Sequence, residues 1–413
     1  MGDSPFNQSV FVRILANLNL RIFAEIKIAD SPHPGEPPAV KEDRTKAPCG
    51  RIWQLAGWPA LSVDAAGVAP ALLEATGAVS RLHGRMELLD GSARDEALLI
   101  TLTDNAVLSS AIEGEVLRAD SVRSSLANRL GIATGVKVSA NQKEEGVVQM
   151  TLDATRNAMK PLSAKRLFSW QACLFPTGYS DGKKIKVGAW RPSSSDPMRV
   201  VSGNLADPKV HFVAPPASQV SAMMKDWLAY CTGTPRQNPL VHTALVHLWF
   251  LTIHPFEDGN GRVARAATDL LLARVEQGAG RYFSLSAQIR KERAQYYKEL
   301  ETAQAGTLDA TRWCVWFLGC LRRAADSSNV VVERVLKRAR FWNQPATAQI
   351  NLRQRKTLSK MLEGFEGDMT TGKYANLTRC SQDTAARDLE ELTQAKLLLR
   401  NGKKGRSAGY RLA

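Results

Sequence analysis

The chain has 413 residues, of which 44% are hydrophobic, 23% charged and 7% aromatic, and its Lys+Arg count of 55 against Asp+Glu 40 gives a formal net charge of +15. This excludes a wholly disordered chain and a collagen-like repeat, and no apolar run approaches the roughly 18 residues that a membrane-spanning helix needs. At roughly 100–200 residues per domain, the length predicts two or three domains and at least one large core.

The apolar N-terminal stretch Val10 to Ile28 is broken by Arg13 and Arg21, follows an acidic start and lacks a small-residue cleavage site, so a cytoplasmic protein without a membrane partner is expected. The 6 cysteines follow neither zinc-site nor disulfide-framework spacing, which predicts buried reduced thiols. Charge is uneven: residues 331–413 hold 17 Lys/Arg and 8 Asp/Glu, whereas residues 1–50 hold 6 of each. A basic C-terminal unit points to nucleic acid or to a solvated basic face.

Five prolines between Pro32 and Pro48, with no apolar periodicity, make residues 1–50 a flexible arm and linker. From Trp53 onward the pattern is globular. Apolar residues at helical intervals predict helices over Leu72 to Leu89 and Leu98 to Ala111, then Asn141 to Met159, Ser163 to Leu174, Ala217 to Tyr230, Pro239 to Ile253, Arg262 to Val275, Gln288 to Gln304 and Thr311 to Ala325. Between Trp190 and Pro216 that pattern is interrupted. The runs Met198 to Val201 and Val210 to Val213, separated by a turn-rich segment, predict a hairpin.

The chemistry concentrates after the helix Pro239 to Ile253, for which Asn238 is the N-cap and Pro239 the first helical residue. The segment His254-Pro255-Phe256-Glu257-Asp258-Gly259-Asn260-Gly261-Arg262-Val263-Ala264-Arg265 follows. Pro255 stops the helix, and a glycine turn that opens the next helix presents backbone N–H groups as an anion site. Arg262 and Arg265, about 60° apart around that helix, can reach the same side, and guanidinium forks match phosphate oxygens. Asp258 beside phosphates calls for a magnesium ion between them, and His254, with an unperturbed pKa of about 6.5, is suited to accept a proton.

This segment resembles the signature of the Fic family, His-Pro-Phe-x-Asp/Glu-Gly-Asn-Gly-Arg-x-x-Arg, at every specified position. The resemblance implies a mainly α fold: a Fic helical bundle with a β-hairpin flap. It implies transfer of AMP from ATP to a Ser, Thr or Tyr hydroxyl of a target protein, which can be the chain itself. His254 would be the base, Asp258 the magnesium ligand, and Gly259, Asn260 and Gly261 the α-phosphate cradle. Arg262 would hold the β/γ-phosphates, Arg265 the γ-phosphate, and Phe256 would anchor the loop. The hairpin resembles the family's target-docking flap, with Val210 as clamp, and Tyr296 and Tyr297 resemble the tyrosines that flank adenine. Ser109-Ser110-Ala111-Ile112-Glu113-Gly114 matches the inhibitory pattern Ser/Thr-x-x-x-Glu-Gly/Asn, so that Ser109, Glu113 and Gly114 would place a carboxylate on Arg265. His247 reads as a hydrogen-bonded core histidine rather than a metal ligand.

Beyond the charged helical stretch Val331 to Arg340 and a short linker Asn343 to Thr347, helices are expected over Gln354 to Phe365, Thr371 to Arg379 and Gln382 to Leu397, followed by a basic hairpin. The arrangement resembles a C-terminal winged helix-turn-helix. It would present Gln382, Thr384 and Arg387 from a recognition helix capped by Ser381, and Lys403, Lys404 and Arg406 from the wing, to DNA. The expected organisation is thus a 1–50 arm, a 51–125 helical extension with the inhibitory motif, a 126–328 catalytic core, a 329–347 linker and a 348–413 winged helix. A homodimer is compatible with it. Two rivals remain at this level: AMP removal or another nucleotidyl or phosphoryl transfer on the same fold, and an ATP-sensing DNA-binding regulator.

Overall fold

The computed structural model describes residues 51–133, 138–193, 197–204, 207–277, 281–362, 365, 367–402 and 409–413, with the side chains of 202–204 and 207–209 left aside. The expected N-terminal arm and the wing residues Lys403, Lys404 and Arg406 lie outside the described residues. The chain divides into two compact units between Val331 and Val332.

The first unit is helical: α1 (Ala65–Glu87), α2 (Gly91–Ile112), α3 (Ala119–Leu130), α4 (Gln142–Arg156), α5 (Ala164–Leu174), α6 (Ala217–Thr232), α7 (Pro239–Ile253), α8 (Asn260–Val275), α9 (Leu285–Lys291), α10 (Arg293–Ala305) and the first part of α11 (Thr311–Trp342). The sequence sets most of the starts. Asp64 accepts from Ala66 and Gly67 N–H, Asn141 and Glu144 form a reciprocal capping box, and the predicted Asn238 cap accepts from Leu240 N–H at 2.9 Å. The centre is α7, buried at every residue from Leu240 to Ile253, as a helix apolar on all sides must be. Two of its carbonyls take a second donor, Trp227 Nε1 on Val246 at 3.1 Å and Trp313 Nε1 on Ala244 at 2.8 Å. These bonds satisfy indole N–H groups that burial would otherwise strand.

Helix α3 was not foreseen. Its sequence, ADSVRSSLANRL, buries Ser121, Ser124 and Ser125 beside Val122 and Leu126, so its inner face carries little apolar signal. The single helix expected over Gln288 to Gln304 is two, broken at Glu292 (φ −107°, ψ 27°). There the Glu292 carboxylate takes both Nε and Nη2 of Arg323 at 2.6 Å, a bidentate pull from α11 that fixes the break. The stretches expected over Thr311 to Ala325 and Val331 to Arg340 are one helix, α11.

The predicted hairpin is β3 (Arg199–Asn204) against β4 (Asp207–Val213), antiparallel, with Val201 opposite Val210 and an irregularity between Val200 and Val201. A smaller ribbon, β1 (Tyr179–Ser180) with β2 (Lys183–Lys184), turns on Asp181 and Gly182 at φ 45° and 77°. Asp-Gly in this place is a hairpin signal. Among the described residues no helix is long and apolar enough to cross a membrane, and Cys231, Cys314 and Cys320 are buried free thiols.

The second unit contains α12 (Leu352–Leu362), α13 (Thr371–Thr378), α14 (Gln382–Gln394) and an antiparallel ribbon of β5 (Leu398–Arg400) with β6 (Tyr410–Leu412). Leu358, Met369, Tyr374, Leu389 and Leu398 form its core. Buried Asp388 ties it together, accepting from Tyr374 Oη at 2.8 Å, Arg353 Nε at 2.8 Å and Asn351 Nδ2 at 3.0 Å. Helix α14 stops short of the expected Leu397 because Lys396 turns the chain at φ 57° into β5.

The packing of α4 on α5 depends on Gly146, where a Cβ would lie 1.9 Å from the Cys173 carbonyl oxygen. Gly→Ala inside a helix normally stabilises by about 1 kcal/mol. At this position the expected sign is reversed, with Gly146→Ala costing on the order of 2–3 kcal/mol through overpacking. Urea denaturation that shows unchanged or raised stability would contradict the close approach.

Candidate active site

The site is built where α7 ends and α8 begins. His254, the C-cap of α7, sits in the left-handed region at φ 52°, ψ 59°, which sharply redirects the chain; its N–H still closes on Phe250 O at 3.0 Å. Arg191 holds this turn from outside: its N–H donates to Pro255 O and its Nε to His254 O, both at 2.9 Å. Phe256, fully buried, packs on Trp190 with ring centroids 5.2 Å apart and on Phe168 at 6.4 Å. Burying a phenylalanine is worth roughly 2–3 kcal/mol, so the loop is pinned at its centre. The Asn260 carboxamide closes the loop, accepting from Phe256 N–H at 2.9 Å and donating to Phe256 O at 2.8 Å. Gly259 at φ 86° completes the turn, and a Cβ there would stand 2.9 Å from the Phe175 ring.

Because Asn260 spends its side chain on Phe256 and Gly259 has none, α8 begins without a side-chain cap. Its first-turn N–H groups, which no helical carbonyl can satisfy, form a positive helix end. Two buried guanidiniums, Arg262 and Arg265, each 2% exposed, stand on that turn. The resulting positive charge needs an anion.

In this structure carboxylates supply it, from the end of α2. Gly114 N–H bonds to Ala111 O at 3.2 Å and Glu115 N–H to Ser110 O at 3.1 Å, with Gly114 at φ 85°. This is a Schellman termination, which requires the left-handed glycine. It directs Glu113 and Glu115 to the α8 arginines. Arg265 donates from Nη2 to Glu113 Oε1 at 2.8 Å, from Nε to Ser109 Oγ at 2.9 Å and from Nη2 to Ser109 O at 2.9 Å. Arg262 Nη1 donates to Glu115 Oε2 at 2.5 Å. Glu113 reaches so far in that a Cβ on Gly261 would lie 2.1 Å from its Oε1. Glycine at 261 thus makes room for an oxyanion against the helix end. Burial alone would raise the Glu113 carboxyl, but the charge and hydrogen bond of Arg265 outweigh it, and the pKa falls below its ordinary value.

Ser109, Glu113, Gly114, His254, Asp258, Gly259, Asn260, Gly261, Arg262 and Arg265, predicted from two separate segments, are therefore brought together. His254, half-buried, places Nδ1 3.4 Å from Leu251 O, which leaves Nε2 as acceptor toward the cavity. Burial lowers its pKa to about 4, and the neighbouring Arg191 charge adds to the lowering. The cavity, about 540 Å³, is bordered by His254, Gly261, Glu113, the flap residues Val200 and Val201, and Tyr296, Tyr297 and Gln304. Its size is that of a small-molecule cleft.

Tyr296 is largely a core residue: its hydroxyl meets His247 Nε2 at 2.9 Å, and His247 Nδ1 meets Thr268 Oγ1 at 2.8 Å, so His247 is the hydrogen-bonded core histidine expected. Tyr297 stacks under Arg293 at 5.0 Å. Val210 is exposed on the flap, across from Val201. Asp258 accepts from Ser180 Oγ and, at 2.5 Å, from Gly259 N–H. Among the described residues no group of three or more His, Cys, Asp or Glu could hold a metal. A lone half-exposed carboxylate fits magnesium, which is held by one or two carboxylates plus phosphate oxygens.

In the second unit Gln382 and Arg387 are exposed on α14, and Thr384 is drawn into the Ser381 cap, its N–H 3.2 Å from Ser381 Oγ. Sequence reasoning missed Arg191, Ser180 and Glu115. The Asp-Gly hairpin signal could have located Ser180 near a turn, but nothing in the chain pairs Arg191 with a histidine 63 residues away.

The Fic/DOC family model matches residues 161–272, and a model described as a domain of unknown function (DUF4172) matches residues 51–132. Protein adenylyltransferase fic-1 of Caenorhabditis briggsae is 36% identical over 87 residues, which span 21% of this chain and only 16% of that protein. A solved Fic family protein from Desulfovibrio desulfuricans aligns with a TM-score of 0.51 at 21% identity, over 86% of this chain and 98% of that one, a likeness of fold. A Fic domain containing signaling protein from Bacteroides thetaiotaomicron gives a TM-score of 0.45 at 19% identity, over 63% of this chain and 97% of that one. The 254–265 loop lies inside the span of the Fic/DOC model and joins two helices of a Fic-like fold, so the chain carries a Fic/DOC domain over residues 161–272.

Proposed function

We propose that the chain is an autoinhibited protein adenylyltransferase, which transfers AMP from ATP to a Ser, Thr or Tyr hydroxyl of a target protein and releases pyrophosphate. The observation that carries this reading is the juxtaposition of a neutral imidazole with an uncapped helix end and two buried arginines, at the edge of a nucleotide-sized cavity. The name of the nematode relative supports it.

In the reaction the target hydroxyl gives its proton to His254 Nε2 as its oxygen attacks the α-phosphorus. The bond from that phosphorus to the bridging oxygen breaks, and pyrophosphate carries the electron pair away. The α8 N–H groups, with Gly261 leaving space for phosphate oxygens, stabilise charge at the α-phosphate, and Arg262 and Arg265 hold the phosphates beyond it. Magnesium held by Asp258 would neutralise phosphate charge. The exposed flap strands offer main-chain pairing to a target segment, with Val210 gripping it. Glu113, by holding Arg265 and the space over Gly261, would keep a triphosphate from its productive place.

His254→Ala is expected to abolish transfer of labelled AMP from ATP, a loss on the order of 10²–10⁴-fold for a general base. Glu113→Gly, which frees one charge-assisted donor set, is expected to raise transfer by about tenfold or more. Equal activity of wild type and Glu113→Gly would overturn the inhibitory role, and an active His254→Ala would overturn the base.

The pH dependence follows from the His254 shift. The folded-state pKa, about 4, lies below the unfolded value near 6.5, so the folded protein binds fewer protons in between and loses stability as pH falls through that window. NMR titration of the His254 ring in the nucleotide-free protein should give a midpoint near 4; a midpoint near 6.5 would mean that the imidazole is solvated.

A further inference from the structure

Glu115 lies outside the inhibitory pattern, yet its carboxylate pairs with the second buried arginine at the start of α8. Its Oε2 is 2.5 Å from Arg262 Nη1, and its Oε1 is 2.7 Å from Lys143 Nζ. Lys143 stands in the first turn of α4, between the two members of its capping box, Asn141 and Glu144. A cation at a helix N-terminus works against the macrodipole, so α4 itself gives no reason for a lysine there. Arg262, 2% exposed, has an Nε without a partner among the described residues and is braced by the Phe175 ring at 5.0 Å. Its partner Glu115 borders a second cavity of about 440 Å³, together with Lys143, Phe175, Tyr179 and Ser180. Ser180 in turn donates to Asp258, which links this cavity to the loop.

We propose that Lys143 joins Arg262, already assigned to the phosphates, in holding the terminal phosphates of a bound nucleoside triphosphate and pyrophosphate on its way out, and that Glu115 fills this place in the resting protein. The inference rests on the nucleotide reading above and extends it. Two oxyanions are built into the end of α2, one for each of Arg262 and Arg265 at the start of α8. Glu113 takes Arg265, and Glu115 takes Arg262 together with a lysine from a different helix. A carboxylate bridging a guanidinium and an ammonium presents two anionic acceptor oxygens, as a phosphate group does. A nucleoside monophosphate, which ends at the α-phosphate, would not compete with it.

The test is calorimetric titration of the full chain with ATP, AMP and inorganic pyrophosphate in the presence of magnesium. Glu115→Gln keeps the side-chain shape and the Glu115 N–H bond of the helix termination; Glu115→Ala serves as the second variant should glutamine pair too well. In a Glu113→Gly background either change is expected to tighten ATP and pyrophosphate by about tenfold, one charge-assisted contact, and to leave AMP within about twofold. Lys143→Ala added to Glu113→Gly/Glu115→Gln should then weaken ATP and pyrophosphate by about tenfold, again without moving AMP. Unchanged ATP and pyrophosphate affinity on removing the Glu115 charge, or an equal change for AMP, would overturn the subsite while leaving the nucleotide reading standing. If no variant binds ATP at all, the nucleotide reading falls and the subsite with it.

Discussion

The uncapped start of α8 with Arg262 and Arg265 buried on it is the constraint around which the site is organised. Two guanidiniums with 2% exposure, added to a helix end carrying about half a positive charge, cannot stay uncompensated. Only an anion set into the same space satisfies them. The folded chain meets that need with its own carboxylates, and on the proposed function these are the contacts that a triphosphate would replace. On that reading the interaction that stabilises the folded chain is also the inhibitory one.

The position of the carboxylates on α2 supports that reading. Acidic residues at a helix C-terminus face the negative end of the dipole and cost about 0.3–1 kcal/mol each. Glu113 is the C-cap of α2 and Glu115 follows the left-handed glycine, so neither serves the helix that carries it. Their partners lie on α8, 147–152 residues further along the chain.

Legibility in the sequence followed contiguity. The loop from His254 to Arg265 could be read because its histidine, glycines and arginines occupy one window, and the Glu-Gly ending of α2 because Ser109 to Gly114 matches a short contiguous pattern. Most helices announced themselves through apolar period, and the flap through two short runs about a turn. What stayed hidden comes from elsewhere in the chain. Arg191 acts on the His254 carbonyl from a segment before the flap, Lys143 meets Glu115 from α4, and α3 packs through serines. A count of cations is likewise silent on the partners that only the fold brings to them. In the second unit Arg353 is bound to Asp388, Arg411 to Asp368, and Arg355, Lys373 and Arg400 lie over the rings of Trp342, Phe365 and Tyr410. Along α14, Arg387 shares the exposed surface with Asp383, Glu390 and Glu391.

The two carboxylates are also mechanically joined. Glu113 and Glu115 flank one glycine in one helix termination, and the hydrogen bonds that fix it, Gly114 N–H to Ala111 O and Glu115 N–H to Ser110 O, set the direction of both side chains. Withdrawing one carboxylate by a side-chain rotation leaves the other in place, whereas unwinding that turn removes both and breaks two backbone bonds at about 1 kcal/mol each. On the proposed function, a ligand that reaches only Arg265 would have to displace one side chain, whereas a ligand that claims both arginines would have to displace two carboxylates held by one helix termination.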